Sequence, residues 1–181
     1  TRDIPPNEYL GNILLLIVGG NDTTRNSISG GVLALNENPE QFAMLKADPT
    51  LIQSMVPEII RWQSPVAHMC RTAMEDTELG GKQIRAGDKI VMWYLSGNRD
   101  ESAIEDPNAF IIDRAKPRHH QSFGFGIHRC IGSRLGEMQL TIIWEEILKR
   151  FAEVEVTGSP AYLRSSFIHG ITELPVRVRR H

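Results

Sequence analysis

Phe123-Gly124-Phe125-Gly126-Ile127-His128-Arg129-Cys130-Ile131-Gly132 is the stretch on which the reading of this chain turns. Its glycines let the backbone fold tightly and allow close approach to it. Apolar Leu135, Met138, Ile142, Ile147, Leu148 and Phe151 follow, and they predict a helix over about 131–151. Cys130 thus falls at a predicted helix start, where free N–H groups and the helix dipole favour a thiolate. Plainer readings compete. A lone cysteine is most often an inert core residue. Gly124-x-Gly126 opens like a dinucleotide loop, but Arg129 stands where the third glycine belongs. Cys130 with His128 suggests zinc, yet no second Cys/His pair at finger spacing exists.

Upstream, Asp3-Ile4-Pro5-Pro6 reads as a capping residue followed by first-turn prolines, and a helix is expected over 7–35. Its first half is apolar nearly all round, so it is expected to be buried. Gly19-Gly20-Asn21-Asp22-Thr23-Thr24 breaks that pattern. Each glycine costs about 1 kcal/mol against Ala, and a buried Asp needs partners. Such local rule-breaking points to function. The bland alternative is a Thr bonded to its own helix and an Asp in an ion pair. Asn38-Pro39 and Asp48-Pro49 bound a short helix over 40–47. Another spans 51–63, with Ile52, Met55, Val56, Ile59 and Ile60 on one side, and Pro65 ends it. Glu58 and Arg61 share a face of that helix, although a bare pair of this kind is common and weak. Residues 66–91 are strand-like, with turns at Gly80-Gly81 and Ala86-Gly87-Asp88, and a helix is expected to start within 91–96. Residues 98–122 are loop-rich, and short strands at 154–156 and 174–178 flank a turn at His169-Gly170.

The glycine loop resembles the cytochrome P-450 heme signature, Phe-x-x-Gly-x-His/Arg-x-Cys-x-Gly, at all five defining positions. Gly19 to Thr24 resembles that family's Ala/Gly-Gly-x-Asp/Glu-Thr-Thr/Ser. Glu58 to Arg61 resembles its Glu-x-x-Arg, and Asn98-Arg99-Asp100 and Asp106-Pro107-x-x-Phe110 add to the match. The resemblance implies a mainly α fold with small β-sheets, the C-terminal half of the cytochrome P-450 fold, as one partial domain over 1–181. It implies heme b (iron protoporphyrin IX), with Cys130 as the iron ligand whose electron donation favours O–O cleavage. Gly20, Phe123, Gly124 and Gly132 lie against the heme in this reading, and Arg71 and His128 meet its propionates. Asp22 and Thr23 steer protons. Glu58 and Arg61 form a buried structural pair, with Arg114 as third member and His120 as the alternative. Substrate contacts are expected from Leu15, Val18, Gly19, Val66, Ala67, His68, Phe167 and Ile168. Arg129 and Arg134 flank the ligand, as an acidic electron donor or a plain solvated face would require. No role is assigned to Cys70.

The implied activity is a monooxygenase using O2. The strings Leu14 to Ser27 and Gly124 to Cys130 look closest to the soluble bacterial branch that hydroxylates medium-chain alkanes and fatty acids terminally. That branch takes electrons from a ferredoxin and its NADH-dependent reductase. Terpenes, steroids or aromatics suit the same apolar residues.

The 181 residues carry a formal net charge of −2, so nothing electrostatic points to nucleic acid. At 41% hydrophobic and 23% charged, the composition is that of an ordinary globular protein. Two cysteines make no disulfide framework and fit a reducing bacterial cytoplasm. The most apolar run, Ile13 to Gly20, is far short of the roughly 20 residues of a membrane span. The chain lacks an initiator Met and runs at once into a helix, which reads as a fragment boundary with the N-terminal half absent. An incomplete domain that holds no heme and has no activity of its own is the rival expectation.

Overall fold

The computed structural model describes residues 3–181; Thr1 and Arg2 lie outside the described residues. Helix α1 runs unbroken from Pro6 to Glu37. Pro5 is its N-cap and no side chain caps it, so Asp3 is not the capping residue its position suggested. Pro5 is already extended, and the rigid Pro6 starts the helix by itself. Asn38 closes α1, donating both its backbone N–H and its Nδ2 to Ala34 O. Helix α2, Pro39–Ala47, follows at once. Asp48 then accepts from the Thr50 N–H at 3.0 Å and starts a 3-10 turn, Pro49–Leu51. Helix α3 is Ile52–Gln63. It stops at Ser64, because the following Pro65 disfavours a right-handed helical residue before it, and Ser64 takes a left-handed φ of 41°.

The α3 stripe predicted as apolar is the core. Ile52, Met55, Val56, Ile59 and Ile60 are all buried, against Val32 and Leu35 of α1, Leu45, Phe110, Ile112, and Leu140 and Trp144 of helix α5, Ser133–Arg150. Gly31 permits this crossing: a Cβ there would stand 2.8 Å from Ile59 and 2.9 Å from Trp144.

Four antiparallel strand pairs decorate the helices. Strands β1 (His68–Thr72), β2 (Thr77–Leu79), β3 (Lys82–Ile84) and β4 (Lys89–Trp93) pair β1 with β4 and β2 with β3. Trp93 pairs with His68, so strand pairing holds residues 91–93, where a helix start was expected. The short helix α4 covers only Tyr94–Gly97. In the tail, β5 (Phe151–Val156) pairs with β8 (Val176–Arg180), and β6 (Ala161–Tyr162) with β7 (Ile171–Glu173). The final strand starts at Val176, not at residue 174, because Leu174 and Pro175 form the link from β7.

The expected burial of the first half of α1 is not observed. Leu14, Leu15, Leu16, Ile17 and Val18 are all exposed, Leu15 at 70%. The buried residues of α1 begin at Asn26, and no described residue covers the earlier turns. Helix α5 repeats the pattern. The Leu135, Met138 and Ile142 side of the helix is half exposed, whereas Leu140 and Trp144 are sealed. Among the described residues, no helix is long and apolar enough to cross a membrane.

Candidate functional site

The Cys130 loop is built by backbone hydrogen bonds and two left-handed glycines. Gly124 has φ 67° and Gly126 φ 74°, conformations that cost other residues about 1–2 kcal/mol. A Cβ at Gly124 would also stand 2.9 Å from Tyr94 Oη. Gly132 is different: its φ is ordinary, and an added Cβ would meet only Cys130 Sγ, at 3.9 Å. The Gly124 N–H donates to Gln121 O at 2.8 Å and the Cys130 N–H to Phe123 O at 2.8 Å, which folds the chain over a 3-10 turn, Gly126–His128. Cys130 is free and exposed, and so are the neighbouring Phe125, Ile127 and Ile131. The sequence placed Cys130 at a helix start, and the structure does not: the chain leaves the 3-10 turn through an extended Arg129 (φ −53°, ψ 140°), and α5 begins three residues after Cys130, at Ser133. Helix-terminal effects fade within one turn, so this thiol sits at their margin.

A buried polar hub braces the approach to this loop. Arg61 Nε donates to Glu58 Oε2 at 2.7 Å and Nη2 to Glu58 Oε1 at 2.8 Å. Arg61 Nη1 reaches the carbonyls of Asn98 and Pro107, both at 2.8 Å. Arg114 donates Nε to Glu58 Oε2 at 3.0 Å and also binds the carbonyls of Glu105, Asp106 and Ala109. The third group on Glu58 is therefore Arg114, not His120. His120 sits closer to the loop, accepting the Ser122 N–H on Nδ1 at 3.3 Å, with its ring 5.4 Å from Phe123. Burial first, and then the positive charges of Arg129, Arg61, Arg118 and His119, push its pKa down to about 4, so it is neutral. Asn98 is a bracing residue the sequence reading left without a role. Fully buried, it donates to Ser64 Oγ at 2.6 Å and Ser122 Oγ at 2.8 Å, and accepts the Gln121 N–H at 2.6 Å. The only sequence signal was its place in Asn98-Arg99-Asp100.

On α1, Thr23 Oγ1 donates to Gly19 O at 2.7 Å, and Asp22 pairs with Arg25 at 3.2 Å, both on the exposed side. A Cβ at Gly19 or Gly20 would meet nothing within 4 Å. Val66 and Ile168 form an antiparallel bridge, the Ala67 N–H donates to Phe167 O at 2.8 Å, and the His68 ring lies 5.7 Å from that of Phe167. The structure thus joins these five residues into one surface. Leu15 and Val18 stand apart on open helix. His68 Nδ1 has no hydrogen-bond partner among the described residues. Among the described residues the Arg71 guanidinium binds only the Cys70 carbonyl, at 2.9 Å, and His128 is exposed.

Among the described residues, no three His, Cys, Asp or Glu side chains gather as a metal cage. A metal on Cys130 must bring most of its ligands with it, as iron does in a porphyrin. The residues fit such a group: an exposed thiol on a tight glycine loop, large apolar side chains beside it, and Arg71 and His128 without carboxylate partners among the described residues.

The chain belongs to the cytochrome P450 family, whose sequence model matches residues 3–164. It is similar to linalool 8-monooxygenase of Pseudomonas putida, at 46% identity over 169 residues, which cover 93% of this chain and 41% of that protein. It is equally similar to the methyl-branched lipid omega-hydroxylase of Mycobacterium tuberculosis, at 46% over 171 residues, covering 93% and 40%. Cytochrome P450-153 from Novosphingobium aromaticivorans superimposes with a TM-score of 0.94 at 50% identity, covering 98% of this chain and 45% of that one. The chain therefore spans less than half the length of these relatives and corresponds to their C-terminal part.

Proposed function

We propose that this chain is the heme-binding part of a monooxygenase that hydroxylates medium-chain alkanes or fatty acids at the terminal carbon, with Cys130 as iron ligand. The observation that carries the reading is the exposed Cys130 thiol on its glycine loop, flanked by uncovered Phe125, Ile127 and Ile131. Bound heme b would supply the oxidation: O2, two electrons and two protons convert a C–H bond to C–OH and release one water. A ferredoxin and its NADH-dependent reductase would deliver the electrons.

The chain's own residues do the rest. Phe123, Gly124, Gly20 and Gly132 leave room for a flat ring, and Arg71 and His128 hold its carboxylates. Thr23 Oγ1 carries one mobile proton, now given to Gly19 O, and can turn it toward the open side. Asp22, held by Arg25 at the surface, exchanges protons with solvent and passes them inward. Val66, Ala67, His68, Phe167 and Ile168, with Leu15, Val18 and Gly19, exclude water and hold an apolar substrate. The same reading puts the protein in the bacterial cytoplasm, in keeping with two free cysteines.

Terminal attack is supported by the omega-hydroxylase among the relatives. A terpene substrate is the second reading, supported by equal identity to a linalool 8-monooxygenase. Heme reconstitution tests the ligand. The reduced carbon-monoxide complex is expected to show the red-shifted Soret band of a thiolate ligand, lost in Cys130→Ala. If neither this chain nor a version carrying a relative's preceding half gives that band, the proposal is wrong. Product analysis with n-octane tests the substrate: 1-octanol is expected, and only subterminal alcohols, or turnover of linalool alone, favour the second reading.

A further inference from the structure

Three polar side chains not used above, on α1, at the end of α3 and in the tail, all bond the segment around Gly170 or are bonded from it. Asn26, fully buried one turn beyond Asp22 and Thr23, accepts the Ile171 N–H on Oδ1 at 3.0 Å. Gln63, also buried, donates Nε2 to the His169 carbonyl at 3.0 Å. His169 answers, its Nδ1 lying 2.6 Å from the Gln63 carbonyl. A carbonyl only accepts, so the proton is on Nδ1. The fit is close on both sides. A Cβ at Gly170 would come within 2.9 Å of Asn26 Nδ2, and one at Gly30 would overlap Gln63 Oε1.

These bonds lock three segments together. The His169 N–H donates to Pro65 O at 2.9 Å, the Ala67 N–H to Phe167 O at 2.8 Å, and Val66 bridges Ile168. Residues 65–68 and 167–171 therefore run as one antiparallel ribbon. Gln63 and His169 fix its register, and Asn26 bolts it to the helix that carries Gly19, Asp22 and Thr23. Breaking one of these links leaves its partner unpaired, a cost of about 1–3 kcal/mol for a buried group that a shift of the ribbon relieves.

We propose that Asn26, Gln63 and His169 form a clamp of positioning residues that sets the distance between this ribbon and α1, and so decides which apolar ligand shapes fit between them. The proposal rests on the reading of Val66, Ala67, Phe167 and Ile168 as substrate walls, but not on which substrate they meet. The three residues touch no ligand themselves.

The test uses heme-loaded protein of full family length and two iron-binding probes read by visible difference spectra. Imidazole reports on the iron alone, and 4-phenylimidazole adds a ring that must fit the walls. His169→Ala and Asn26→Ala are expected to change 4-phenylimidazole affinity by about fivefold, the size of coupling that such networks transmit, with imidazole affinity unchanged. His169→Asn places an amide N–H where Nδ1–H was and is expected to restore the wild-type ratio. Gly30→Ala puts a Cβ where the Gln63 amide lies, so it displaces Gln63 and is expected to act like His169→Ala without altering a clamp residue. Loss of stability alone would leave the ratio of the two affinities unmoved. A ratio that stays at the wild-type value in all the variants overturns the clamp and leaves the heme reading intact. A wild-type protein that gives no spectral shift with imidazole overturns the heme reading, and the clamp with it.

Discussion

Leu35 and Leu15 are the same side chain on the same helix, yet Leu35 is 3% exposed and Leu15 is 70% exposed. Around Leu35 the chain closes on itself through α3, α5 and the Phe110–Ile112 segment. Around Leu15 nothing in the described residues does. The contrast recurs on α5, where Trp144 is sealed and Leu135 is open, and among the acids, where Glu58 is buried and Asp22 is exposed. The molecule divides into a framework that satisfies its own groups and an apolar rim that does not. Every residue proposed above to meet heme, protons or substrate is on the rim or borders it. An uncovered apolar surface of this kind marks a place where something else binds.

The sharpest way to break that division is to attack an acid on each side of it. Glu58→Ala strands Arg61, which is buried with its charge, and a broken buried pair costs about 3–5 kcal/mol. Asp22→Ala removes an exposed pair with Arg25 and is expected to cost less than about 1 kcal/mol. Urea unfolding followed by far-UV circular dichroism measures both. Equal losses would mean that the framework and the rim are not distinct.

The framework was the legible part of the sequence, because it obeys local rules. The α3 stripe has helical spacing and Pro65 stops the helix; on the rim, the Cys130 loop was legible for the same local reason, since its glycines sit where the backbone turns left-handed. What could not be read depends on distant chain. Asn26 bonds a residue 145 positions away and Asn98 one 24 away, and neither leaves a periodic trace. The true start of α5, at Ser133, follows a loop closed by the Cys130 N–H on Phe123 O, a bond with no periodic signature. The first half of α1 misled for a different reason. All-round apolarity says that a helix wants cover, but not that the cover lies within the same 181 residues.

A second test of the contrast uses pH. His120 belongs to the framework, and its folded pKa of about 4 lies below the ordinary unfolded value of about 6.5. As pH falls below 6.5 the unfolded chain takes up this proton before the folded one. The stability from neutral His120 is thus complete above pH 6.5 and is lost as pH falls toward 4, by up to about 3 kcal/mol. His120→Asn retains an acceptor for the Ser122 N–H and removes the titration. The stability difference between wild type and variant, measured by urea unfolding at pH 4 and pH 7, is expected to shrink or reverse toward pH 4. A difference independent of pH would show that His120 is not held neutral by its surroundings.

The smallest expected effect is the most telling about the rim. Leu15→Gln keeps a strong helix former at an exposed position, so the stability of this chain is expected to change by less than about 0.5 kcal/mol. Leu35→Ala, twenty positions later, is expected to cost about 2–5 kcal/mol. In heme-loaded protein of full family length the order should invert for ligand binding. Leu15→Gln puts an amide where an apolar ligand is proposed to lie, and burying an unpaired amide costs about 1–3 kcal/mol, which is roughly 5- to 150-fold in affinity for 4-phenylimidazole. A Leu15→Gln protein that binds this probe as the wild type does would remove Leu15 from the pocket. The proposed substrate contacts on α1 would then be Val18 and Gly19, one turn closer to Asp22 and Thr23.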